Sequence, residues 1–532
     1  MKTVLSFLVG TLVPITFAGQ PLFDKAYSLP GDTLNNGGIM MRIAEADNAD
    51  LLFSSYHTLE NGPLNLPIVL LHRTGPDGSI QWRRKISQST GQYLRTWDLQ
   101  ELSAGTIGLF GHCGPAAVHA TYIEADVNGW PIGAHRYQAG VYNSEVLAAA
   151  QRADGTLVLA GSTDHGGNRK GMIMLASPDG TVITPSKIPF NTTYSGFSAI
   201  EPCADGGYLL SGTGIRVVNP DTSLKSVVVA KVDSMGTVQW AGKYEEATPS
   251  ALFYTLGASE IPGVGFRIFC ETNKVGTPHR DIVVMAVDYT GDIQWQKRIW
   301  FQPYYAGFPL AVLMEKDPMH YWLAAGYSDL GRGSAVMDTS GTILSAYASG
   351  ANTGNWDYHA IPASDGTLVS ITVGPDPNAA GLLVPKLTKD MVIPNTCSPV
   401  VLTHSTTVAD FTFETTWSQT PLVMTITDIL PDLVTIAEVP DVFTQCISTS
   451  QEEVGTAAEP RILLDPANGR VTIRGEGIEL VGLIDASGRW VHQAQHAGVN
   501  ECTVDLSGRG PGIYVVWVKT QDGAVAHKLP WY

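Results

Sequence analysis

The sequence has few of the features that mark nucleic-acid-binding or membrane proteins. Charged residues make up only 16% of its 532 residues, no run of Lys or Arg occurs, and the formal net charge is −17. Nucleic acids and anionic membrane surfaces attract basic patches, so neither is expected as a partner. No stretch beyond the N-terminal segment reaches 18 consecutive apolar residues, and no transmembrane segment is therefore predicted.

Motifs of catalysis and metal binding are also missing. The chain has no Cys-x-x-Cys pair, no Gly-x-Ser-x-Gly elbow, no His-Glu-x-x-His helix, no Walker loop and no EF-hand loop. The sequence therefore nominates no catalytic residue, no metal ligand and no cofactor.

Six cysteines are present, and two of them bracket one segment near the C-terminal third. Cys397 and Cys446 are a candidate disulfide, with the reduced state as the equal alternative. The other four are expected to be buried thiols, which pack as small hydrophobic groups.

Glycine, tryptophan and tyrosine are plentiful, and they recur in a pattern. The stretch "DYTGDIQW" from Asp288 has relatives whose turn glycines are about 50 residues apart: Gly78, Gly129, Gly180, Gly236, Gly291 and Gly341. Each period holds about four short strands joined by Asp-Gly turns, which is typical of a β-propeller blade. An all-β fold is predicted, with a propeller of seven blades over residues 20–394; six or eight blades remain possible. The strand from Phe23 is expected to complete the last blade, with Lys25 matching Lys243.

Repetition in every blade indicates a structural role, because a catalytic group is normally needed once. Gly78, Gly236 and Gly291 are expected to adopt the positive φ of a tight turn. Trp82, Trp240 and Trp295 are expected to pack between blades.

Two families share parts of this repeat. The stretch "AVDYTGDIQW" resembles the tryptophan-docking motif of quinoprotein propellers, which implies blade docking; those enzymes also have an adjacent cysteine pair that this chain lacks, so no quinone is implied. Sialidase Asp boxes place the tryptophan three residues after the glycine, whereas Trp295 is four residues after Gly291.

The two ends of the chain differ from the repeats. Residues 1–19 have a basic start at Lys2, an apolar run and small residues at Ala18 and Gly19, which predicts a secretory signal peptide. Residues 395–458 alternate apolar and polar positions and are interpreted as a small β module or an extended strand packed on the propeller, followed by a linker. Residues 459–532 have the turn spacing of a small β-sandwich.

The last segment resembles the C-terminal sorting domain of the type IX secretion system of the Bacteroidota. The motifs that carry the resemblance are "LIDASGR", "GPGIYVVWV" and "HKLPWY", with Asp485, Gly488, Arg489, Gly512, Tyr514 and Lys528 as the matching residues. The resemblance implies the type IX secretion machinery as a partner. It also implies a secreted or outer-membrane-attached protein from which the signal peptide and sorting domain are cleaved.

Two functions are compatible with this organisation. The first is a non-catalytic binding, adhesion or scaffold module for glycan or protein; the alternative is a secreted glycan-active hydrolase or lyase with its site in the propeller funnel. Two irregular aromatic stretches nominate a ligand surface of Tyr304, Tyr305, Trp356 and Tyr358, which could instead fill the core between blades. Carboxylates, Tyr and Arg with shifted pKa values at the funnel would favour an enzyme, and an exposed aromatic platform would favour binding.

Overall fold

The computed structural model describes residues 23–531 with gaps. The gaps are residues 29–32, 35–40, 60–66, 90–92, 115–117, 165–166, 220–221, 247–249, 275–280, 303–311, 318–319, 328–330, 349–356, 374–380, 388–399, 402, 410, 416–417, 431–432, 439–441, 445–460, 466–469, 486–489, 507–511 and 521–522. The signal peptide predicted at residues 1–19 lies outside the described residues. Within them, no helix is long and apolar enough to span a membrane. The chain divides into two compact units, Met1–Ser448 and Thr449–Tyr532.

The first unit consists of antiparallel sheets in which four strands follow one another. In chain order, β1 (Phe23–Ser28) precedes the strands of blade 1, which are β2 (Thr33–Leu34), β3 (Arg42–Glu45), β4 (Leu51–Leu59), β5 (Pro67–Thr74) and β6 (Ile80–Gln88). Blade 2 has β7 (Tyr93–Glu101), β8 (Ile107–Gly114), β9 (His119–Ala125) and β10 (Pro131–Gln138). Blade 3 has β11 (Ser144–Gln151), β12 (Leu157–Thr163), β13 (Lys170–Ala176) and β14 (Val182–Ile188). Blade 4 has β15 (Tyr194–Pro202), β16 (Tyr208–Asn219), β17 (Thr222–Val232) and β18 (Val238–Glu246).

The remaining blades repeat this order. Blade 5 has β19 (Ser250–Ile261), β20 (Gly265–Lys274), β21 (Asp281–Val287) and β22 (Ile293–Gln302). Blade 6 has β23 (Val312–Asp317), β24 (His320–Tyr327), β25 (Gly331–Asp338) and β26 (Ile343–Ala348). Blade 7 has β27 (Asp357–Pro362), β28 (Leu368–Val373) and β29 (Gly381–Leu387), and its fourth strand is β1.

The innermost strands close a ring. In the described part of the chain, β3, β7, β11, β15, β19, β23 and β27 contact one another in succession, and β27 returns to β3. Apolar side chains such as Val158, Ile173 and Leu210 are buried between successive blades, because a single blade is too small to bury both of its faces. The prediction of an all-β propeller is confirmed.

The N-terminal strand closes the ring at blade 7. β1 pairs antiparallel with β29, and the hydroxyl of Tyr27 donates a hydrogen bond to the carbonyl of Gly78 in blade 1, at 2.8 Å. In the same way, the hydroxyl of Tyr244 in blade 4 donates a hydrogen bond to the carbonyl of Gly291 in blade 5, at 2.7 Å. The buried tyrosines therefore set the register, and the match of Lys25 to Lys243 is wrong by one residue: Ala26 precedes Tyr27 as Lys243 precedes Tyr244.

The segment after the propeller forms a belt that adds a fifth strand to every blade. Its strands, in chain order, are β30 (Val400–Val401), β31 (Thr403–Val408), β32 (Phe411–Glu414), β33 (Thr420–Pro421), β34 (Thr425–Asp428), β35 (Leu433–Glu438) and β36 (Val442–Thr444). They pair antiparallel with the outer strands of blades 6, 5, 4, 3, 2, 1 and 7. In its described residues, the segment is therefore extended along the outer strands of the propeller and does not form a separate small β module. An outer strand has unpaired backbone groups along its free edge, and the belt pairs part of them.

The repeated turn of the sequence has a structural use. In "DYTGDIQW", the Oδ1 atom of Asp288 accepts the backbone N–H of Thr290 at 2.9 Å and of Asp292 at 3.0 Å. Gly291 has a φ of 92°, which disfavours any side chain at that position. The carboxylate of Asp288 therefore stabilises the turn between β21 and β22.

The second unit contains β37 (Arg461–Asp465), β38 (Arg470–Asp485), β39 (Trp490–Asp505), β40 (Gly512–Thr520) and β41 (Gly523–Trp531). β38 pairs with β37, β39 and β40, and β40 pairs with β41. Bulges interrupt the pairing of the long strands β38 and β39. Its core includes Val481, Leu483, Tyr514 and Val516.

Candidate functional site at the mouth of the ring

The two ends of the ring differ in what they carry. Because the strands of each blade alternate in direction, the Asp-Gly turns all lie at one end, called here the turn face. The connections between second and third strands, and those between blades, lie at the other end, called here the entry face. The first residues of each innermost strand therefore lie beside the axis at the entry face.

A charged group occupies this position in blade 3. Glu145, near the start of β11, forms an ion pair with Arg169 of the loop between β12 and β13. The hydroxyl of Ser162 donates to Oε1 of Glu145 at 3.0 Å and accepts a bond from Nε of Arg169 at 2.8 Å. The side chain of Glu145 is 10% exposed and that of Arg169 is 40% exposed, so the pair is buried on one side and open on the other.

The environment keeps Glu145 ionised. Burial acts to raise the pKa of its carboxyl, whereas the positive charge of Arg169 and the hydrogen bond from Ser162 act to lower it, and the net shift of the pKa is downward. A carboxylate in this state can accept hydrogen bonds, but it is a poor proton donor near neutral pH.

An aromatic side chain from blade 2 adjoins this pair. Trp97 lies in a β-bulge of β7, and its Nε1–H donates to Nδ1 of His112 at 3.0 Å. Oε2 of Glu145 lies 3.4 Å from the same Nδ1. A neutral imidazole nitrogen cannot accept from Trp97 and donate to Glu145 at once, and we assign it as the acceptor from Trp97 because that contact is shorter.

Two further side chains extend the surface towards blade 1. Tyr93 begins β7 and is 47% exposed. The guanidinium carbon of Arg95 lies 4.8 Å from the ring centroid of the buried Tyr56 and 5.6 Å from that of Tyr93. We call the following six residues the mouth cluster: Tyr93, Arg95, Trp97, His112, Glu145 and Arg169.

Two polar side chains of the innermost strands join neighbouring blades. Asp98 accepts the backbone N–H of Ala149 in blade 3 at 2.7 Å and that of Leu99 at 2.8 Å, one on each carboxylate oxygen. Nδ1 of His359 accepts the N–H of Ile43 in blade 1 at 3.2 Å in the same manner. Burial raises the pKa of Asp98, against the bond from Ala149. Each of its oxygens accepts a backbone N–H, so this carboxyl joins blade 2 to blade 3.

The aromatic residues nominated from the sequence lie mostly outside the described residues, namely Tyr304, Tyr305 and Trp356. The backbone of Tyr358 lies in β27, at the bulge between Asp357 and His359. This is the position that Trp97 occupies in blade 2. Within the described residues, no group of three or more His, Cys, Asp or Glu side chains could hold a metal ion.

The repeated tryptophans contact the turn glycines of the following blade. A Cβ atom added to Gly129 would lie 2.5 Å from the ring of Trp82, and one on Gly341 would lie 3.0 Å from that of Trp295. Trp240 stands in the same relation to Gly291. Gly78 and Gly236 have φ values of 72° and 76°. These contacts join one blade to the next at the turn face, the opposite end of the ring from the mouth cluster.

The remaining nominated residues are outside the mouth cluster. Cys397 and Cys446 lie outside the described residues, and Cys113, Cys203, Cys270 and Cys502 are buried without disulfides. In the second unit, the backbone of Asp485 pairs with that of buried Tyr514. Gly512 pairs with Trp531, and Lys528 pairs with Val515. Gly488 and Arg489 lie outside the described residues.

The mouth cluster was missed by the sequence reasoning. Its residues come from β7, β8, β11 and a loop, and no short motif links them. One signal was available: blade 2 has Trp97 where blades 3 and 4 have Leu147 and Ser198 at the corresponding bulge. The propeller fold does not require a tryptophan at this bulge, because blades 3 and 4 have smaller residues there.

No family model matches the chain, and no curated protein matches it. Among solved structures it is similar to an α-L-arabinofuranosidase of family GH93 from Fusarium graminearum, at 11% identity and a TM-score of 0.41, over 60% of this chain and 99% of that one. An α-L-arabinanase of Penicillium chrysogenum matches at 14% identity and a TM-score of 0.40, over 61% of this chain and 99% of that one. An extracellular domain from B. thetaiotaomicron matches at 11% identity and a TM-score of 0.17, over 92% and 79%.

Proposed function

We propose that the protein is an exported binding protein that holds a glycan at the mouth cluster. The observation that carries the proposal is Trp97, an indole hydrogen-bonded to His112 on the strand that also has the exposed Tyr93, while His112 lies 3.4 Å from the carboxylate of the half-open Glu145–Arg169 pair. Aromatic faces suit the apolar faces of sugar rings, and a few fixed polar groups beside them select hydroxyl positions. The mouth cluster has both aromatic faces and fixed polar groups, and they lie at the entry face of the ring.

Binding is favoured over hydrolysis by the state of the carboxyl groups. A glycosidase needs a protonated carboxylic acid and a second carboxylate on opposite sides of the scissile bond. Glu145 has a lowered pKa and is engaged by Ser162 and Arg169. Asp98 has a raised pKa, but backbone N–H groups occupy both of its oxygens. Neither group is placed to donate a proton to a leaving oxygen.

We also propose export through the type IX secretion system, directed by the C-terminal unit. Two observations support this: the order of the motifs that include Asp485, Gly512, Tyr514 and Lys528, and the compact unit Thr449–Tyr532 in which Tyr514 is buried. The signal peptide at residues 1–19 would deliver the chain to the periplasm first.

The binding proposal is tested by a glycan-array screen of the purified protein, with reducing-sugar release measured for every glycan that binds. Binding without release is expected. Release of sugar would contradict the proposal and favour the hydrolase, and a screen in which no glycan binds would also contradict it.

The export proposal is tested by deleting residues 459–532 and fractionating the producing bacterium. The truncated protein is expected to stay in the periplasm. Arg474→Ala is the control, because Arg474 is exposed and lies outside the sorting motifs, and this variant should still reach the cell surface or medium. Surface delivery of the truncated protein would overturn the proposal.

A further inference from the structure

Several arginines of this protein form ion pairs with carboxylates. Six such pairs among the described residues are Arg73–Asp50, Arg152–Asp154, Arg169–Glu145, Arg216–Glu245, Arg298–Asp281 and Arg474–Glu501. A chain with a formal net charge of −17 has more carboxylates than basic side chains, so a shortage of carboxylates does not explain an arginine that has none beside it.

Arg95 is such a cation, and it lies in the mouth cluster. In the part of the chain that the structure describes, its guanidinium has no carboxylate within 4.0 Å and donates no hydrogen bond, and its Nε atom is buried. The rings of Tyr56 and Tyr93 are its neighbours. Aromatic faces attract a cation, but they leave its N–H donors unused. A buried donor without an acceptor costs free energy, which a bound acceptor would recover.

We infer that the mouth cluster takes an anionic glycan, whose carboxylate or sulfate group pairs with Arg95 while a sugar ring stacks on Tyr93. The inference deepens the proposed function and rests on it. The planar guanidinium presents parallel donors that match a carboxylate or a sulfate oxygen pair, and such charge-assisted bonds are stronger than neutral ones. Tyr93 precedes Arg95 by two residues on β7 and is 47% exposed, so one saccharide unit could contact both.

The chain contains a matched control for Arg95. Arg84 also stacks on two aromatic rings, 5.3 Å from Trp82 and 4.7 Å from Trp130, and its Nε is likewise buried without an acceptor. It differs in place and in partners: it lies near the turn face, and its Nη1 donates to the carbonyl of Arg83 at 3.0 Å. Loss of either arginine removes a similar stacking interaction, but only Arg95 lies in the mouth cluster.

The experiment measures binding of polygalacturonate and of the same polymer after reduction of its carboxyl groups, with a sulfated glycan as a third probe. The wild-type protein is expected to bind the uronate or the sulfated glycan about tenfold or more tightly than the carboxyl-reduced polymer. Arg95→Gln should abolish that preference, Arg95→Lys should keep part of it, and Arg84→Gln should leave it unchanged. Thermal unfolding of the two Gln variants shows whether each remains folded.

The outcomes separate this inference from the proposed function. Equal binding of the charged and reduced polymers, or a preference that survives in folded Arg95→Gln, would overturn the anionic-ligand inference and leave glycan binding standing. A preference for sulfate over uronate would support the anion site and identify its ligand group. If the protein binds none of these probes and no glycan on the array, both proposals fail.

Discussion

At the residue scale, several histidines are buried in the neutral form. Burial, with the nearby charge of Arg83, lowers the pKa of His57 from 6.5 to about 3. Burial, with the charge of Arg42, lowers that of His359 to about 3 as well. His72 is the partner of Arg83 on the neighbouring strand. Burial lowers the pKa of His72 well below its usual value. These side chains lie in blades 1 and 7, where the ring is closed.

We predict that the propeller loses stability in acid because of these groups. The unfolded chain binds protons on histidine below pH about 6.5, whereas the folded chain resists protonation until pH about 3, so the free energy of unfolding falls as the pH drops between these values. Urea midpoints at pH 7.5, 5.5 and 4.5 should decrease steadily. His57→Gln should reduce the slope of that decrease, and an unchanged slope would show that His57 is already protonated in the folded protein.

At the element scale, the sequence predicts the blades well and the belt poorly. Each blade is encoded locally, because Asp288 and Gly291 define a turn and the apolar strands beside it recur in every period. The belt strands are only two to six residues long, and their partners lie far away in the chain, as Thr427 pairs with Arg136. Local patterning shows that such a segment is extended but cannot show which edge it pairs with. The mouth cluster escaped prediction for the same reason.

We predict that the belt contributes to the stability of each blade separately. Thr427→Pro removes a backbone donor within β34 and should cost about 1–3 kcal/mol. Hydrogen exchange should increase in β10, the strand that β34 pairs with, and remain unchanged in blade 5. Val423→Pro is the control, because Val423 is 86% exposed and lies between two belt strands. Equal destabilisation by both substitutions would show that pairing by β34 adds nothing.

At the scale of the whole molecule, the ring is closed by a strand from the N-terminal part of the chain. Tyr27 of β1 and Tyr244 of β18 have the same buried ring and the same hydrogen bond to a turn glycine of the next blade. Their settings differ, because β18 follows β17 through a tight turn within its own blade, whereas β1 and β29 are more than 350 residues apart in sequence by their numbering. The sequence repeat predicted this closure but placed the register one residue away.

We predict that Tyr27→Ala opens the ring whereas Tyr244→Ala weakens it locally. Each substitution should cost about 3–5 kcal/mol from lost burial. Hydrogen exchange in Tyr27→Ala should rise along β29 and β36, the two strands that pair with β1, while Tyr244→Ala should affect blades 4 and 5 only. The same exchange pattern in both variants would contradict the idea that β1 is the weaker closure.

The most direct test of the central claim, that the mouth cluster holds the ligand, is the affinity of Trp97→Ala for the glycan that binds most tightly on the array. Trp130→Ala is the matched control, since Trp130 is 40% exposed and stacks on Arg84 near the turn face. Loss of an aromatic stacking partner should weaken binding by about tenfold or more in Trp97→Ala, with Trp130→Ala binding as the wild type does. Unchanged affinity in a folded Trp97→Ala protein would place the ligand elsewhere and contradict the account.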